Sequence, residues 1–166
     1  MRAKPEFVVC PFLVLADNNE QLPYCFSGLH TDADQGNLPL LVRSQERSLE
    51  TADYTIEGLE KNVAVERKSF EDLYHTLGQG RDRFERELER MHRMDYAAVV
   101  VEASWQKILK EPPAQLKPKS VYRSILAWSQ RYYRVHWFMM EGRRLGEVTT
   151  FRILERFYRD HLVHDD

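Results

Sequence analysis

Two uninterrupted apolar runs stand out along the chain, Phe12 to Ala16 (FLVLA) and Tyr96 to Val101 (YAAVVV). Neither alternates with polar residues, which is the pattern of strands covered on both faces. Pro11 is placed at the start of the first or at a bulge, because proline cannot donate to a ladder. Weaker strand patterns span Leu40 to Leu49, Tyr54 to Ile56, Asn62 to Lys68 and Val135 to Met140, with Gly58 at a turn. Period-two alternation in the third of these puts Val63, Val65 and Arg67 on one side and Ala64, Glu66 and Lys68 on the other. Helical periodicity follows. Ser69 and Asp72 form a capping-box pattern ahead of the stripe Phe70, Leu73, Tyr74 and Leu77. Further helices are expected over Arg83 to Met94, Trp105 to Leu109, Lys119 to Tyr133 and Glu147 to His161, and a loop over Ser27 to Pro39. Strands alternating with helices predict a three-layer α/β domain, and 166 residues suit one domain spanning 1–166.

Composition adds location and surface. The net charge is −2, so global electrostatics do not announce a nucleic-acid binder. Nine Lys/Arg nevertheless lie between Ser104 and Arg144 against only Glu111 and Glu141. They interleave with Trp105, Tyr122, Trp128, Tyr132, Tyr133 and Trp137, a mixture that suits phosphates and bases. The competing reading makes the aromatics core and the cations their solvated backs. Cys10 and Cys25 have no redox or metal spacing, and reduced, buried thiols are expected. Arg2 and Lys4 precede an apolar run as in a secretory leader, but Glu6 and Pro11 interrupt it. The expected compartment is the cytoplasm of a bacterium or phage host, or a eukaryotic nucleus, and not the secretory route. No run approaches the ~20 apolar residues of a membrane span.

The chemistry concentrates on one strand. Twelve residues separate Asp53 from Glu66, and Lys68 shares a strand face with Glu66, about 7 Å along. Paired carboxylates can hold Mg²⁺, which prefers few protein ligands and fills its octahedron with water and phosphate. A neighbouring lysine can orient or deprotonate water, or balance developing charge. Acid-x-lysine alone is common. The Asp32/Asp34 pair fails the calcium-loop pattern, and the six histidines have no ligand spacing.

The longer string is more specific. Ala52-Asp53-Tyr54 followed by Val65-Glu66-Arg67-Lys68-Ser69-Phe70-Glu71-Asp72-Leu73 resembles the Gly-Asp…Glu-Arg-Lys-x-x-x-Asp signature of the XPF-type (ERCC four) structure-specific nuclease domain, of the restriction-endonuclease-like superfamily. Asp17-Asn18-Asn19-Glu20-Gln21 is similar to that family's Asp-x-Arg-Glu-Gln segment, and Gly80-Arg81 with Arg83-Phe84 to its Gly-Arg…Arg-Phe segment. The resemblance runs from residue 12 to 101, with 104–166 a basic, aromatic, helical part completing the domain.

The resemblance implies a restriction-endonuclease-like core, a mixed sheet flanked by helices, that cuts branched DNA (flap, fork or junction) with Mg²⁺ or Mn²⁺. It implies Asp53, Glu66 and Asp17 as metal ligands, Lys68 as the catalytic lysine, and Arg67 and Asp72 as supporting site residues. Glu20 matches a further acidic position. Arg81 and Arg83 are candidate DNA contacts, with Lys117, Lys119 and Arg123 from the basic segment. Asp72 has a complete alternative as a helix cap, and alternation turns Arg67 away from Glu66 and Lys68. Two departures stand out: Asn19 replaces the family's arginine, and Ala52 its glycine, where alanine is strained if the position needs positive φ. A homodimer or a heterodimer with a related chain is a candidate assembly. The tandem helix-hairpin-helix modules of many relatives are not expected here, so selectivity would come from the domain or a partner. Competing functions are a non-catalytic DNA-binding or dimerisation module of the same fold and a sequence-specific restriction-type nuclease.

Overall fold

The computed structural model describes residues 6–111 and 116–164; Arg2, Lys4 and most of the proline-bearing connector lie outside them. Seven strands form one mixed sheet: β1 (Val8–Asp17), β2 (Leu29–His30), β3 (Pro39–Arg47), β4 (Tyr54–Ile56), β5 (Val63–Lys68), β6 (Tyr96–Val101) and β7 (Val135–Met139). Their spatial order is β2-β3-β1-β4-β5-β6-β7. The pairs β1/β3, β5/β6 and β6/β7 are parallel, and β2/β3, β1/β4 and β4/β5 antiparallel. The apolar run of β6 is therefore flanked by parallel neighbours on both sides, as its composition requires.

Helices α1 (Phe70–Leu77), α2 (Arg81–His92), α3 (Trp105–Lys110) and α4 (Pro118–Arg131) cover one face, and α5 (Arg143–His164) the other. Leu73, Leu88, Met91, Ile108 and Trp128 pack on Ala64, Ala97, Val99 and Val101. Phe151 and Leu154 of α5 pack on Val14, Ile56, Val63, Val65, Ala98 and Val100. Fully burying side chains of this size stabilises by about 1.5–3 kcal/mol each. Alternation along β5 thus decides the site: odd residues point to α5, and even ones to α1 and α2.

Several boundaries differ from the predicted ones. Strand β1 begins at Val8, ahead of the expected Phe12, and Pro11 lies at its register shift between Val9 and Leu13, one of the two places expected for it. The segment expected as loop contains β2 and a short 3-10 turn, Ala33–Gln35. Helix α2 begins two residues earlier, where the Phe84 amide bonds the Gly80 carbonyl at 3.0 Å. Helix α5 begins at Arg143, four residues ahead of expectation. Arg143 donates to the Leu22 and Pro23 carbonyls and Arg144 to those of Ser27 and Gly28, so tertiary anchors hold a first turn that local propensity hides. Gly146 in that turn is needed for close approach: a Cβ there would lie 2.8 Å from the Tyr24 hydroxyl. Cys10 is buried as expected, whereas Cys25 is exposed.

Candidate active site

The site is built where β4 and β5 run side by side. The Tyr54/Val65 pairing carries Asp53 back beside Glu66, and the Asp53 amide bonds the Val65 carbonyl at 3.1 Å. The Arg67 amide donates to Asp53 Oδ2 at 2.7 Å, which fixes the direction of that carboxylate. Ala52 just before it has φ of 59°, the left-handed region that favours glycine. Its amide donates to Glu87 Oε1 of α2 at 2.6 Å, so the strained turn is tied across the cleft. At the end of β1, the Asp17 amide bonds the Asp53 carbonyl at 2.8 Å. Both Asp17 carboxylate oxygens already accept, from the Leu49 amide at 2.9 Å and the Asn19 side chain at 3.2 Å. Asn19, at the position of the family's arginine, therefore organises the loop around Asp17.

Burial raises the Asp53 pKa, and the Glu66 charge raises it further; the Arg67 amide and Lys68 act against this. Glu66 is also raised, by burial above all, although Lys68 holds part of the shift back. Lys68 Nζ lies 2.5 Å from Glu66 Oε1 and 4.8 Å above the Phe84 ring. Burial pulls the Lys68 pKa down, but Glu66, Asp53 and Asp72 outweigh it and hold the ammonium protonated. Two buried carboxylates that repel each other are the donor chemistry a hard divalent cation relieves. Asp53 and Glu66 are therefore residues that could hold such an ion; Asp17, the third expected ligand, has both carboxylate oxygens engaged by the Leu49 amide and the Asn19 side chain. Among the described residues, no three Asp, Glu, His or Cys side chains are gathered closely enough to hold a metal between them.

The opposite face of β5 carries a different arrangement. The Arg67 guanidinium donates to both oxygens of Glu102, from Nε at 2.7 Å and Nη2 at 2.9 Å, and to Glu20 Oε1 at 3.1 Å. Tyr24 also donates to Glu102 Oε1, at 2.6 Å, and stacks on Tyr54 with ring centroids 5.2 Å apart. Burial favours protonated Glu102, but Arg67, Tyr24 and Arg143 overcome it and set its pKa below the ordinary value. Glu102, Tyr24 and Glu87 were not singled out in the sequence. Glu102 had a usable signal, since it ends the buried parallel strand β6 as Asp17 ends β1.

A cleft of about 440 Å³ opens over this centre, lined by Asp17, Asp53, Glu66, Lys68, Asp72, His75 and Arg83 among others. Asp72 thus lines the cleft, and its carboxylate serves in the capping box with Ser69. Arg81 is turned to α4: it donates to Ser124 Oγ at 2.9 Å and covers the Trp128 ring at 4.8 Å. Lys117, Lys119 and Arg123 are exposed but line none of the clefts near the centre. Of the interleaved aromatics, Trp128 and Tyr132 are core, while Tyr122 and Tyr133 are exposed.

The family model described as the ERCC4 domain matches residues 34–145. This chain belongs to the ERCC4 domain family. The matched span holds Asp53, the Glu66-Arg67-Lys68 stretch, Asp72 and Glu102; Asp17 and Glu20 precede it. XPF from the archaeon Aeropyrum pernix superposes with a TM-score of 0.61 at 18% identity, over 92% of this chain and 67% of that one. The same protein in complex with DNA gives 0.57 at 18%, over 90% and 66%. The ERCC4 chain therefore spans about two thirds of the length of those structures, and at this identity they show its fold alone: the α/β fold of XPF, a mixed seven-stranded sheet flanked by helices. No curated protein matches it significantly by sequence. No described helix is long and apolar enough to cross a membrane.

Proposed function

We propose that this ERCC4 domain is a Mg²⁺- or Mn²⁺-dependent endonuclease that hydrolyses phosphodiester bonds in branched or otherwise structured DNA. The observation that carries the proposal is the convergence of Asp53, Glu66 and Lys68 in one cleft, with both carboxylates destabilised and the ammonium held charged. Asp53 and Glu66 would hold the cation, and Asp17, which lines the same cleft, would be a third acidic contributor. A divalent ion bound there lowers the pKa of water and neutralises charge on the scissile phosphate. Lys68, protonated and desolvated against Phe84, orients the attacking water or balances charge on the phosphate oxygens. Arg67 acts from behind the strand: its amide aims Asp53, and its guanidinium fixes Glu20. Asp72 orders the first turn of α1 beside Lys68. DNA, possessing phosphates on every nucleotide, is the substrate class that the family and the cleft's Arg83 favour.

The test is cleavage of labelled flap, fork, junction and linear duplex DNA with Mg²⁺ or Mn²⁺. Metal-dependent cutting of a branched substrate, lost by a factor of about 10²–10⁴ in Lys68→Ala and Asp53→Ala, is expected. Salt-sensitive binding with no cutting of any substrate would instead establish a non-catalytic DNA-binding module. Cutting of linear duplex at a fixed sequence would make it a restriction-type enzyme.

A further inference from the structure

The central cleft continues in two directions. One arm, of about 470 Å³, shares Asp53, Glu66 and Lys68 with it and adds Glu20, Gln21, Leu22, Arg67, Ser69 and Glu71. The other, of about 440 Å³, shares Leu49, Glu50 and Arg90 and adds Thr51, Thr55, Glu60, Lys61, Arg93 and Met94. The two differ in electrostatics. In the first, the one added cation is Arg67, already bonded to Glu102 and Glu20, which leaves Glu71 uncompensated. In the second, Lys61 and Arg93 are exposed and make no ion pair among the described residues, against Glu60 and the shared Glu50. Arg83 in the centre, Arg90 at the junction, itself paired with Glu87, and Arg93 at the C-cap of α2 follow the helix as a row of cations. At 1.5 Å per residue the row is about 15 Å long. That is the length of about four nucleotides of a duplex strand.

We propose that the arm containing Lys61 and Arg93 is a phosphate-binding subsite for the DNA backbone on one side of the cut, and that the Glu71 arm contributes no phosphate contact. This rests on the nuclease reading given above. It makes the site asymmetric: DNA is gripped on one side of the scissile phosphate, and that grip sets which strand polarity enters. Thr51 offers a hydroxyl beside the two cations, a suitable lining for phosphate oxygens, whereas the Thr55 hydroxyl is buried and already donates to the Val63 carbonyl at 2.6 Å.

The experiment measures fork-DNA affinity of the full chain by fluorescence anisotropy across salt, and cleavage kinetics on substrates shortened on either side of the cut. Lys61→Ala with Arg93→Ala alters only exposed side chains. The double variant is expected to reduce the slope of log affinity against log salt by about two, one per lost phosphate contact. Its KM rises with kcat unchanged, because the lost contacts are equal in ground and transition states. Glu71→Ala leaves the slope unchanged. Shortening the DNA on one side raises KM in the wild type, and that sensitivity disappears in the double variant. A wild type that cuts DNA while the double variant keeps slope and KM overturns the subsite and leaves the nuclease standing. A wild type that neither binds nor cuts removes both.

Discussion

Removing Glu102 isolates a buried charge, and the expected cost follows from its contacts. The Glu102 and Arg67 side chains are each 8% exposed. Glu102→Ala deletes both bonds from Arg67, at 2.7 and 2.9 Å, and leaves the guanidinium with Glu20 alone at 3.1 Å. Breaking one side of a buried pair costs about 3–5 kcal/mol. The Tyr24 hydroxyl loses its acceptor as well, for about 1–3 kcal/mol on its own. These losses share one pocket and do not add fully, so a total near 4 kcal/mol is expected. With a urea m-value of about 2 kcal/mol/M the unfolding midpoint falls by about 2 M. Glu102→Gln keeps one acceptor oxygen, which Tyr24 and Arg67 Nε can share as they share Oε1, loses the acceptor for Arg67 Nη2, and should recover about half. A Glu102→Ala shift below about 0.5 M at unchanged m would refute the claim that this pair is structurally important. The pH dependence has a definite sign. A carboxylate with a lowered folded pKa contributes fully above its unfolded value and loses that contribution as pH falls through the folded one. The wild-type advantage over Glu102→Ala therefore shrinks on acidification below the ordinary value of 4.5.

The Asp53 and Glu66 carboxyls have raised pKa values, so folding takes up protons there, and without metal their contribution weakens as pH rises from the ordinary acid range toward the folded values. Mg²⁺ or Mn²⁺ should reverse this. At a hundred times its Kd the ion stabilises by about 2.7 kcal/mol, and calorimetry should show a gain that grows as pH rises; a gain independent of pH, or none, would count against these ligands. Gly146→Ala brings a Cβ within 2.8 Å of the Tyr24 hydroxyl and 3.2 Å of Glu102 Cγ. A loss of about 1–3 kcal/mol in urea titration is expected, and a neutral result would mean that α5 shifts freely. Ala52→Gly deletes a buried methyl worth about 0.8 kcal/mol and loosens the unfolded chain by about 0.4–1. It also relieves about 1–2 kcal/mol of left-handed strain, so it should be nearly neutral. Ala64→Gly, in the extended and fully buried middle of β5, has no strain to relieve and should cost more than 1 kcal/mol; equal costs would show Ala52 to be unstrained.

Much of the fold was legible because the apolar patterns are strong. β6 is continuous, β5 alternates, and the stripes of α1, α2 and α4 are buried as their spacing requires. The opposition of Arg67 to Glu66 and Lys68 followed from alternation alone. The partner of Arg67 did not, because Glu102 is 35 residues away and only the parallel β5/β6 register brings them together. The early start of α5 was hidden for a related reason: Gly146 weakens the local helical signal, while its anchors are carbonyls more than a hundred residues earlier. Left-handed φ at Ala52 was conditional in the sequence, since alanine gives no sign of it; only the departure from glycine did.

The alternation of β5 also separates two demands that conflict within one carboxylate-rich strand. A metal site needs carboxylates whose charge is poorly compensated, so that the ion supplies what is missing. Stability needs buried charges fully paired. Asp53, in no ion pair among the described residues, lies beside the Glu66–Lys68 pair on the cleft side, while Arg67 is fully paired on the α5 side, so neighbouring positions meet opposite requirements. The two faces communicate through the Arg67 amide on Asp53 Oδ2 and the Glu102 amide on the Lys68 carbonyl, at 2.8 Å. Loosening the Arg67 guanidinium should therefore reach the cleft as a misdirected Asp53, and appear as weakened Mg²⁺ binding before it appears as lost DNA affinity. If Glu102→Gln kept wild-type Mg²⁺ affinity while losing stability, the two faces would be independent and Arg67 purely structural.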